Sequence, residues 1–269
     1  MDKVYLKKLQ KKVIKFTQKA AAMVKDAPFD VAQKQDPANV VTTSDLAVQR
    51  YLREKLTALL PGSHFYCEEE DLQETDGEFI WVIDPIDGTM NYTRGIDECA
   101  ISVALLQNKK AVLGVVHTIF RGDTFSAVAG GGATLNGKPI SVSQNSFEKG
   151  LLCTAMSLYN KSLAAACDKI IYEAYMQCND FRRFGSCAVE LCYLAAGKCD
   201  LFFEMRVFPW DYAAGYLILK EAGGELYGFD GEELTFDKPT PLIGANSIEN
   251  YQALNTIVRK YLDKIPYKE

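Results

Sequence analysis

The chain has 269 residues, of which 48% are hydrophobic and 24% charged, a composition typical of an ordinary globular protein. Its formal net charge of -5 argues against a partner held by general electrostatic attraction, such as nucleic acid or an anionic membrane. The length suffices for a sizeable core and predicts one or two domains. An anionic small molecule could still bind if a local positive charge, such as a metal ion, held it.

Eight cysteines could form disulfides, but the sequence favours free, buried thiols. No C-x-x-C pair occurs, most of the cysteines lie in apolar segments, and the N-terminal residues lack the apolar region of a signal peptide. Neither His64 nor His117, the two histidines, lies near a cysteine pair, so zinc is not predicted. Since no apolar stretch has membrane-spanning length either, the sequence predicts a cytoplasmic protein.

The first half of the chain is predicted to contain helices followed by a mostly antiparallel sheet. Apolar residues at alternating steps of three and four predict a helix over residues 3–25. Its buried face is expected to carry Leu6, Leu9, Val13, Phe16, Ala20 and Met23. A second helix is expected over about residues 45–60, with Ser44 as N-cap and Pro61-Gly62 as the stop signal. Strands are predicted over residues 79–84, 101–106, 112–117 and 124–129, with a turn at 108–110 and a hairpin at Asn136-Gly137.

Helices and strands alternate after Gly150, which predicts a second, α/β-like half. Helices are expected over about residues 160–178 and 186–197, from Pro209 to Gly223-Gly224, and after an N-cap at Asn246 or Ser247. Strands are expected over residues 200–204, 225–229 and 241–245. The predicted fold class is therefore α+β, with an N-terminal domain of residues 1–146 and a C-terminal domain of residues 147–269.

The segment WVIDPIDGTMNY, residues 81–92, carries the strongest chemical signal. Asp84 is expected to end a buried strand, Pro85 fixes its own φ angle, and Ile86 turns the chain so that Asp87 returns toward the same point. Two carboxylates this close repel each other unless a divalent cation lies between them, and hard oxygen ligands suit Mg²⁺. The Ile86 carbonyl could be a third oxygen ligand.

Gly88 and Thr89 follow directly and would present backbone N–H groups at the start of a short helical turn, where an anion is favoured. The ordinary explanation for a D-x-x-D pair is an acidic surface turn. The full sequence DPIDGT favours a metal and phosphate site instead.

Three further acids could complete the site, although each has an ordinary structural explanation. Asp45 lies at a predicted helix start and Asp211 in the first turn of another helix, where acids are common because of the helix dipole. Glu68 begins the acidic run of residues 68–71, and such a run is usually a solvated patch. Periodicity alone cannot bring these acids together.

Six segments together resemble the inositol monophosphatase family, part of the lithium-sensitive, Mg²⁺-dependent sugar-phosphatase superfamily. They are NVVTTSD (39–45), CEEED (67–71), WVIDPIDGTMNY (81–92), GVVH (114–117), RRFGSCAVEL (182–191) and PWDYAAGYLILKEAGG (209–224). Cys67 stands where family members commonly have glycine. The resemblance implies a layered αβαβα sandwich with an antiparallel N-terminal sheet and a smaller mixed C-terminal sheet.

The resemblance also implies a metal-binding role for five residues. Glu68, Asp84 and the Ile86 carbonyl would bind one Mg²⁺ ion. Asp84, Asp87 and Asp211 would bind a second, and a weaker third ion would lie near Glu68. These assignments give two or three Mg²⁺ ions as the cofactors.

The catalytic residues that the resemblance implies are Asp45, Glu68 and Thr89. Asp45 and Thr89 would orient the attacking water and help to deprotonate it, for in-line displacement at phosphorus. The backbone amides of Gly88 and Thr89 would hold the phosphate group.

The implied substrate-binding residues come from both halves of the chain. They are Asp87, Gly88, Thr89, Gly185, Ser186, Cys187, Glu204 and Asp211. Glu204 corresponds to an acid that hydrogen-bonds inositol hydroxyls in family members, although a solvated strand-end residue would look the same in the sequence. We expect myo-inositol-1-phosphate, or a similar polyol or sugar phosphate, as the substrate. Fructose 1,6-bisphosphate is the alternative, because Arg182, Arg183 and Arg206 could meet a second phosphate.

A non-catalytic regulatory subunit that binds a protein partner is the alternative from another class, since a fold does not by itself imply a function. The complete set of candidate ligands favours retained chemistry, and the acidic net charge argues against nucleic acid and membrane partners. Relatives in the family are often homodimers, so a homodimer is expected.

Overall fold

The computed structural model describes residues 1–33, 40–69, 74–156, 161–229 and 231–262, and within these ranges the chain forms three sheets and seven α-helices. The helices are α1 (Lys3–Val24), α2 (Thr43–Leu59), α3 (Thr89–Thr93), α4 (Ala164–Tyr175), α5 (Cys187–Ala195), α6 (Pro209–Glu221) and α7 (Ile248–Leu262). Every helix that was expected from the sequence is present, and α3 is the short helical turn that was expected at Gly88 and Thr89.

The larger sheet has seven strands in the order β3-β4-β5-β6-β7-β8-β9. Its strands are β3 (His64–Cys67), β4 (Phe79–Asp87), β5 (Ala100–Gln107), β6 (Lys110–Thr118), β7 (Thr124–Val128), β8 (Ala133–Leu135) and β9 (Lys138–Pro139). Neighbouring strands are antiparallel except β3 and β4, which run parallel. Asn108, Lys109, Asn136 and Gly137 all have positive φ angles, which confirms the two predicted tight turns.

The smaller sheet is mixed, as predicted, and has five strands in the order β11-β10-β12-β14-β13. Its strands are β10 (Leu151–Ala155), β11 (Asp180–Arg182), β12 (Leu201–Val207), β13 (Glu225–Tyr227) and β14 (Thr240–Ala245). The pairs β10–β11 and β10–β12 are parallel, and the pairs of β14 with β12 and β13 are antiparallel. A separate antiparallel pair is formed by β1 (Val31–Gln33) and β2 (Val40–Thr42).

Five layers result, in the predicted order αβαβα. Helices α1 and α2 pack on one face of the seven-stranded sheet, α5 and α6 fill the space between the two sheets, and α4 and α7 cover the outer face of the five-stranded sheet. All nine residues of α5 are buried because this helix is covered by a sheet on each side. The division into domains at residue 146 stays a prediction, since α5 and α6 share one apolar core with both sheets.

Two local predictions about the first helices are wrong. Met23 is 41% exposed, and Val24 takes the buried position at the end of α1 instead. The N-cap of α2 is Thr42 and not Ser44, because Thr42 Oγ1 accepts the N–H of Asp45 while the Asp45 carboxylate accepts the N–H of Thr42. The hydroxyl of Ser44 instead contacts that of Tyr92, at 2.9 Å.

All eight cysteines lie within the described residues, and none of them forms a disulfide, as predicted. Within the described residues, no helix combines the length and the apolar content needed to cross a bilayer.

Candidate active site

Strand β4 brings Asp84 and Asp87 to the same face of the seven-stranded sheet by means of an irregularity. Asp84 pairs with Ser102 and Asp87 with Ala100, so three steps along β4 correspond to two steps along β5. In a regular strand, residues three apart point to opposite faces. The extra residue is a β-bulge, which reverses the alternation and returns Asp87 to the face of Asp84.

The packing on either side of β4 shows the same reversal. Before the irregularity, Ile80 and Val82 face the middle layer, while Trp81 and Ile83 face α1 and α2. After it, Ile86 is fully buried on the side of α1 and α2, although its even number would place it with Val82 in a regular strand. The apolar contacts of Ile86 therefore fix the reversal that brings the two acids together.

Asp211 joins them from the start of α6 in the middle layer. Its Oδ2 accepts the N–H of Phe208 at 2.8 Å, which holds the side chain at the N-terminus of the helix. One carboxylate oxygen from each of Asp84, Asp87 and Asp211 lies within 4.8 Å of the others. The structure thus brings together three of the predicted metal ligands, one of them distant in sequence from the other two.

Burial and mutual repulsion raise the pKa of all three carboxyl groups. For Asp84 and Asp211 the pKa lies well above its ordinary value, first because of burial and then because of the neighbouring acids. Burial also raises the pKa of Asp87 to about 6, against the opposing effect of hydrogen bonds from Ser186 and Ala188. Asp84 Oδ1 is buried and makes no hydrogen bond. A divalent cation would satisfy this oxygen and relieve the repulsion, so the residues present fit a magnesium site.

Glu68 reaches the same region from the end of β3. Its N–H donates to the carbonyl of Ile83 at 3.2 Å, which extends the parallel pairing with β4, and its charge is the second cause of the raised pKa of Asp84. Residues 70 and 71 of the predicted acidic run lie outside the described residues. The structure therefore places Glu68 beside the three-carboxylate cluster.

Asp45 and Thr89 form a partly buried polar pair next to the cluster. Asp45 is fully buried, and its Oδ2 accepts both the N–H and the hydroxyl of Thr42. Its other oxygen, Oδ1, lies 3.5 Å from Thr89 Oγ1, which is also 3.0 Å from the carbonyl oxygen of Ile86. The helix-capping role of Asp45 and its contact with Thr89 thus use different oxygens of one carboxylate.

Gly88 links β4 to α3 in a conformation that requires glycine. Its φ angle is +84°, and a Cβ atom there would lie 3.0 Å from the carbonyl oxygen of Glu98 and 3.1 Å from that of Gly185. The chain therefore turns sharply after Asp87, and the loop before α5 packs directly on this turn.

That loop holds Asp87 from the opposite side. Ser186 is the N-cap of α5, and its hydroxyl donates to Asp87 Oδ2 at 2.5 Å. The N–H of Ala188 donates to the same oxygen at 2.6 Å. Gly185 and Cys187 line the cleft on either side of Ser186. The sequence predicted these three loop residues to contact substrate, and the structure shows that Ser186 contacts Asp87.

Glu204 lies on β12 at the opposite wall. Burial, and the charges of Glu190 and Asp211, raise the pKa of Glu204 well above its ordinary value. Arg183 and Arg206 line the same cleft, whereas Arg182 is exposed and pairs with Asp180. The side chain of Arg206 lies over the ring of Phe208, with the guanidinium carbon 5.7 Å from the ring centroid. The cleft wall near Glu204 therefore combines an acidic side chain with two arginines.

These groups surround one cleft that opens to solvent. The predicted residues that line it are Glu68, Asp84, Ile86, Asp87, Gly88, Thr89, Gly185, Cys187, Glu204 and Asp211. The other two predicted residues, Asp45 and Ser186, are not part of this lining. They contact Thr89 and Asp87, respectively, which do line the cleft. Sequence reasoning missed Asn91 and Glu190, which fasten the loop before α5, because nothing in their spacing signals a role.

Comparison with known proteins supports the family resemblance that the sequence motifs indicate. A sequence model of the inositol monophosphatase family matches residues 2–263. Nus factor SuhB of Escherichia coli K12 is 35% identical over 209 residues, which cover 77% of this chain and 78% of that protein. A protein of Thermotoga maritima named fructose-1,6-bisphosphatase/inositol-1-monophosphatase is 35% identical over 205 residues, covering 76% and 77%.

Solved structures agree with this result. An IMPase of Thermotoga maritima superposes with a TM-score of 0.84 at 31% identity and covers 94% of this chain and 97% of its own. An IMPase/NADP phosphatase complexed with Mg²⁺ and phosphate shares the fold, with a TM-score of 0.84 at 19% identity over 94% of this chain and 95% of its own. The arrangement of helices and sheets in this chain is that of the IMPase structures. The chain belongs to the inositol monophosphatase family.

Proposed function

We propose that this protein is a Mg²⁺-dependent phosphomonoesterase that hydrolyses myo-inositol-1-phosphate, or a similar polyol or sugar phosphate. The observation that carries the proposal is the convergence of Asp84, Asp87 and Asp211 within 4.8 Å, beside the Asp45–Thr89 pair. Three carboxylates gathered this closely repel one another, and they match what a divalent cation needs. The relative complexed with Mg²⁺ and phosphate supports the choice of cation.

The metal ligands would be those that the sequence indicates. Glu68, Asp84 and the Ile86 carbonyl form one proposed set, and Asp84, Asp87 and Asp211 the other, with Asp84 shared. When bound, Mg²⁺ lowers the pKa of water and neutralises charge on the phosphoryl oxygens. The described residues hold the acidic oxygens in place beforehand, since Asp87 and Asp211 are each fixed by backbone N–H donors.

The attacking water would be oriented by Thr89 and Asp45. If the Thr89 hydroxyl donates its proton to Asp45 Oδ1, its oxygen is free to accept one from water. Asp45 Oδ1 is the oxygen that contacts Thr89, whereas Oδ2 accepts from Thr42. The pair can therefore take up a proton as the water attacks phosphorus in line with the leaving alcohol. Glu68, which directly follows β3, would assist the attack by water together with this pair.

The substrate would lie between the two sheets. The amides of Gly88 and Thr89, together with the residues around Asp87 and Asp211, would hold the phosphate, and Gly185, Cys187 and Glu204 would face the alcohol. With its raised pKa, a protonated Glu204 can donate as well as accept a hydrogen bond, which suits the hydroxyl groups of a polyol.

We further propose that the protein is a cytoplasmic homodimer with domains at residues 1–146 and 147–269.

Fructose 1,6-bisphosphate is the second candidate substrate. Arg183 and Arg206 line the cleft and could neutralise a second phosphate, whereas inositol monophosphate has none. The Thermotoga maritima relative is named for both activities.

A regulatory, non-catalytic subunit is the candidate from another class, because several relatives are named as a Nus factor. Phosphate release with Mg²⁺ and with EDTA decides between the two classes. We expect release from myo-inositol-1-phosphate, fructose 1,6-bisphosphate, glycerol-2-phosphate or an adenosine bisphosphate, and its loss with EDTA. The Asp87→Asn variant should be inactive, whereas Asp97→Asn, which changes a nearby exposed acid, should be active. No release from any ester would favour the regulatory role.

A further inference from the structure

A buried carboxylate outside the predicted site holds the loop that contacts Asp87. Glu190 lies in α5 and is fully buried. Its Oε1 accepts the N–H of Phe184 at 2.7 Å and the N–H of Gly185 at 3.0 Å. One side-chain oxygen therefore fixes two successive peptide groups of the loop immediately before Ser186.

The same loop is fastened from the other side by Asn91 of α3. Its Nδ2 donates to the carbonyl oxygen of Phe184 at 2.6 Å and to that of Glu98 at 2.7 Å. Gly185 allows this close approach, since a Cβ atom there would lie 3.1 Å from Asn91 Nδ2 and its φ angle is +83°. The peptide groups on both sides of Phe184 are thus held between α5 and α3.

The loop transmits this restraint to a predicted metal ligand. Directly after Gly185, the Ser186 hydroxyl and the Ala188 N–H both donate to Asp87 Oδ2. Two charge-assisted donors on one oxygen fix the carboxylate and leave Oδ1 for other contacts. The position of Asp87 Oδ2 therefore depends on the position of Phe184 and Gly185, whose N–H groups Glu190 holds.

An acid at position 190 is not what packing alone would select. Seven of the nine residues of α5 are aliphatic or cysteine side chains, and all nine are buried. Glu190 Oε2 is buried without a hydrogen-bond partner, which costs free energy that an apolar residue would avoid. Burial also raises the pKa of Glu190 to about 8, so that at neutral pH it accepts the two N–H groups without adding a full charge to the nearby acids.

We propose that Glu190 is a positioning residue for the metal site: by holding the N–H groups of Phe184 and Gly185, it places Ser186 and Ala188 so that they orient Asp87. This inference deepens the proposed function and rests on it for the role of Asp87. Supporting groups of this kind usually change metal affinity or activity by about 10–100-fold when they are lost.

The test compares two substitutions of Glu190 with a matched control. Glu190→Met fills the space without an acceptor, and Glu190→Gln keeps an oxygen that can accept both N–H groups. Asp200→Leu is the control, because Asp200 is also a buried carboxylate that accepts a backbone N–H, that of Leu151 at 2.7 Å, but does not line the cleft. Three quantities are measured: Mn²⁺ affinity by calorimetry, kcat and KM, and hydrogen exchange at the amides of residues 184 and 185.

In the wild type, the amides of Phe184 and Gly185 should exchange slowly. Glu190→Met should speed their exchange, weaken Mn²⁺ binding about 10–100-fold and lower kcat with little change in KM. Glu190→Gln should stay within about threefold of the wild type, and Asp200→Leu should lose stability without losing Mn²⁺ affinity.

Three results would overturn the proposal: fast exchange of both amides in the wild type, Mn²⁺ affinity of Glu190→Met equal to that of Asp200→Leu, or equal losses in the Met and Gln variants. The wild-type exchange rates decide the matter even if the Met variant does not fold. A wild type that binds no Mn²⁺ and releases no phosphate would instead sink the proposed function, while the exchange rates still report whether Glu190 holds the loop.

Discussion

Replacing Asp87 by asparagine should stabilise the metal-free protein and abolish turnover. Asp87 is 8% exposed, and burial is the main reason why its pKa rises from the ordinary 3.8 to about 6. Asparagine has nearly the same shape, and its carbonyl oxygen can still accept from Ser186 and Ala188. The substitution therefore removes the charge and keeps the contacts.

The magnitude follows from the pKa of Asp87 in the folded and unfolded chain. When the folded state holds the proton more tightly, the free energy of unfolding falls as the pH rises from the unfolded pKa to the folded one. The difference between 3.8 and about 6 corresponds to about 3 kcal/mol. In EDTA, Asp87→Asn should thus match the wild type near about pH 4 and exceed its stability by about 3 kcal/mol at about pH 8.

Urea unfolding in EDTA across this pH range measures the difference, and the same series with Mg²⁺ measures the stabilisation by bound ion. The wild type should gain stability with Mg²⁺ in proportion to the logarithm of its concentration above Kd, and the Asn variant should gain much less. Asp97→Asn should behave as the wild type throughout. A stability difference that does not vary with pH, a less stable variant at pH 8, or near-normal turnover would refute the reasoning.

Three further predictions concern other parts of the cleft. Asp45→Asn and Thr89→Ala should each lower kcat about 10²–10⁴-fold while calorimetry shows Mn²⁺ binding little changed, and a large loss of binding would instead make them ligands. Arg183→Ala and Arg206→Ala should lower kcat/KM for fructose 1,6-bisphosphate more than for myo-inositol-1-phosphate, whereas equal losses would show that neither arginine recognises a second phosphate. Glu190→Gln should have the same free energy of unfolding as the wild type near about pH 4 and a higher one above about pH 8, by up to about 5 kcal/mol. The reason is that the pKa of Glu190 rises from 4.5 to about 8 in the folded protein. Urea titrations in which this difference does not change with pH would contradict the prediction.

The sequence predicted most of the fold because the pattern of apolar residues follows burial. The six longer helices that were predicted, and the strands that end at tight turns, lie close to where the sequence pattern places them. Met23 was misplaced because α1 continues its face through Ala20, Ala21 and Val24, and a small change in phase moves the last turn. Thr42 and Ser44 are both good N-caps, and only the reciprocal bonds with Asp45 show which one is used.

The candidate site was predictable in part only. The spacing of Asp84 and Asp87 pointed to a shared ligand, but the bulge that puts them on one face depends on the pairing of β4 with β5. Only the family resemblance placed Asp211 with these two acids, since no local sequence pattern predicts a contact between β4 and the start of α6. Glu190 was missed because a single acid inside an apolar helix produces no periodic signal, and because its hydrogen-bond partners are backbone groups.

The cluster also joins parts of the chain that the backbone keeps far apart. Asp87 and Asp211 are 124 positions apart in the sequence, one at a sheet strand and the other at the start of a helix in the middle layer. An ion shared by the two would act as a reversible cross-link that closes this long loop, and closing a loop disfavours the unfolded chain. Shortage of divalent cations would then shorten the lifetime of the protein in the presence of proteases, so that its abundance, as well as its rate of catalysis, would follow the supply of the ion.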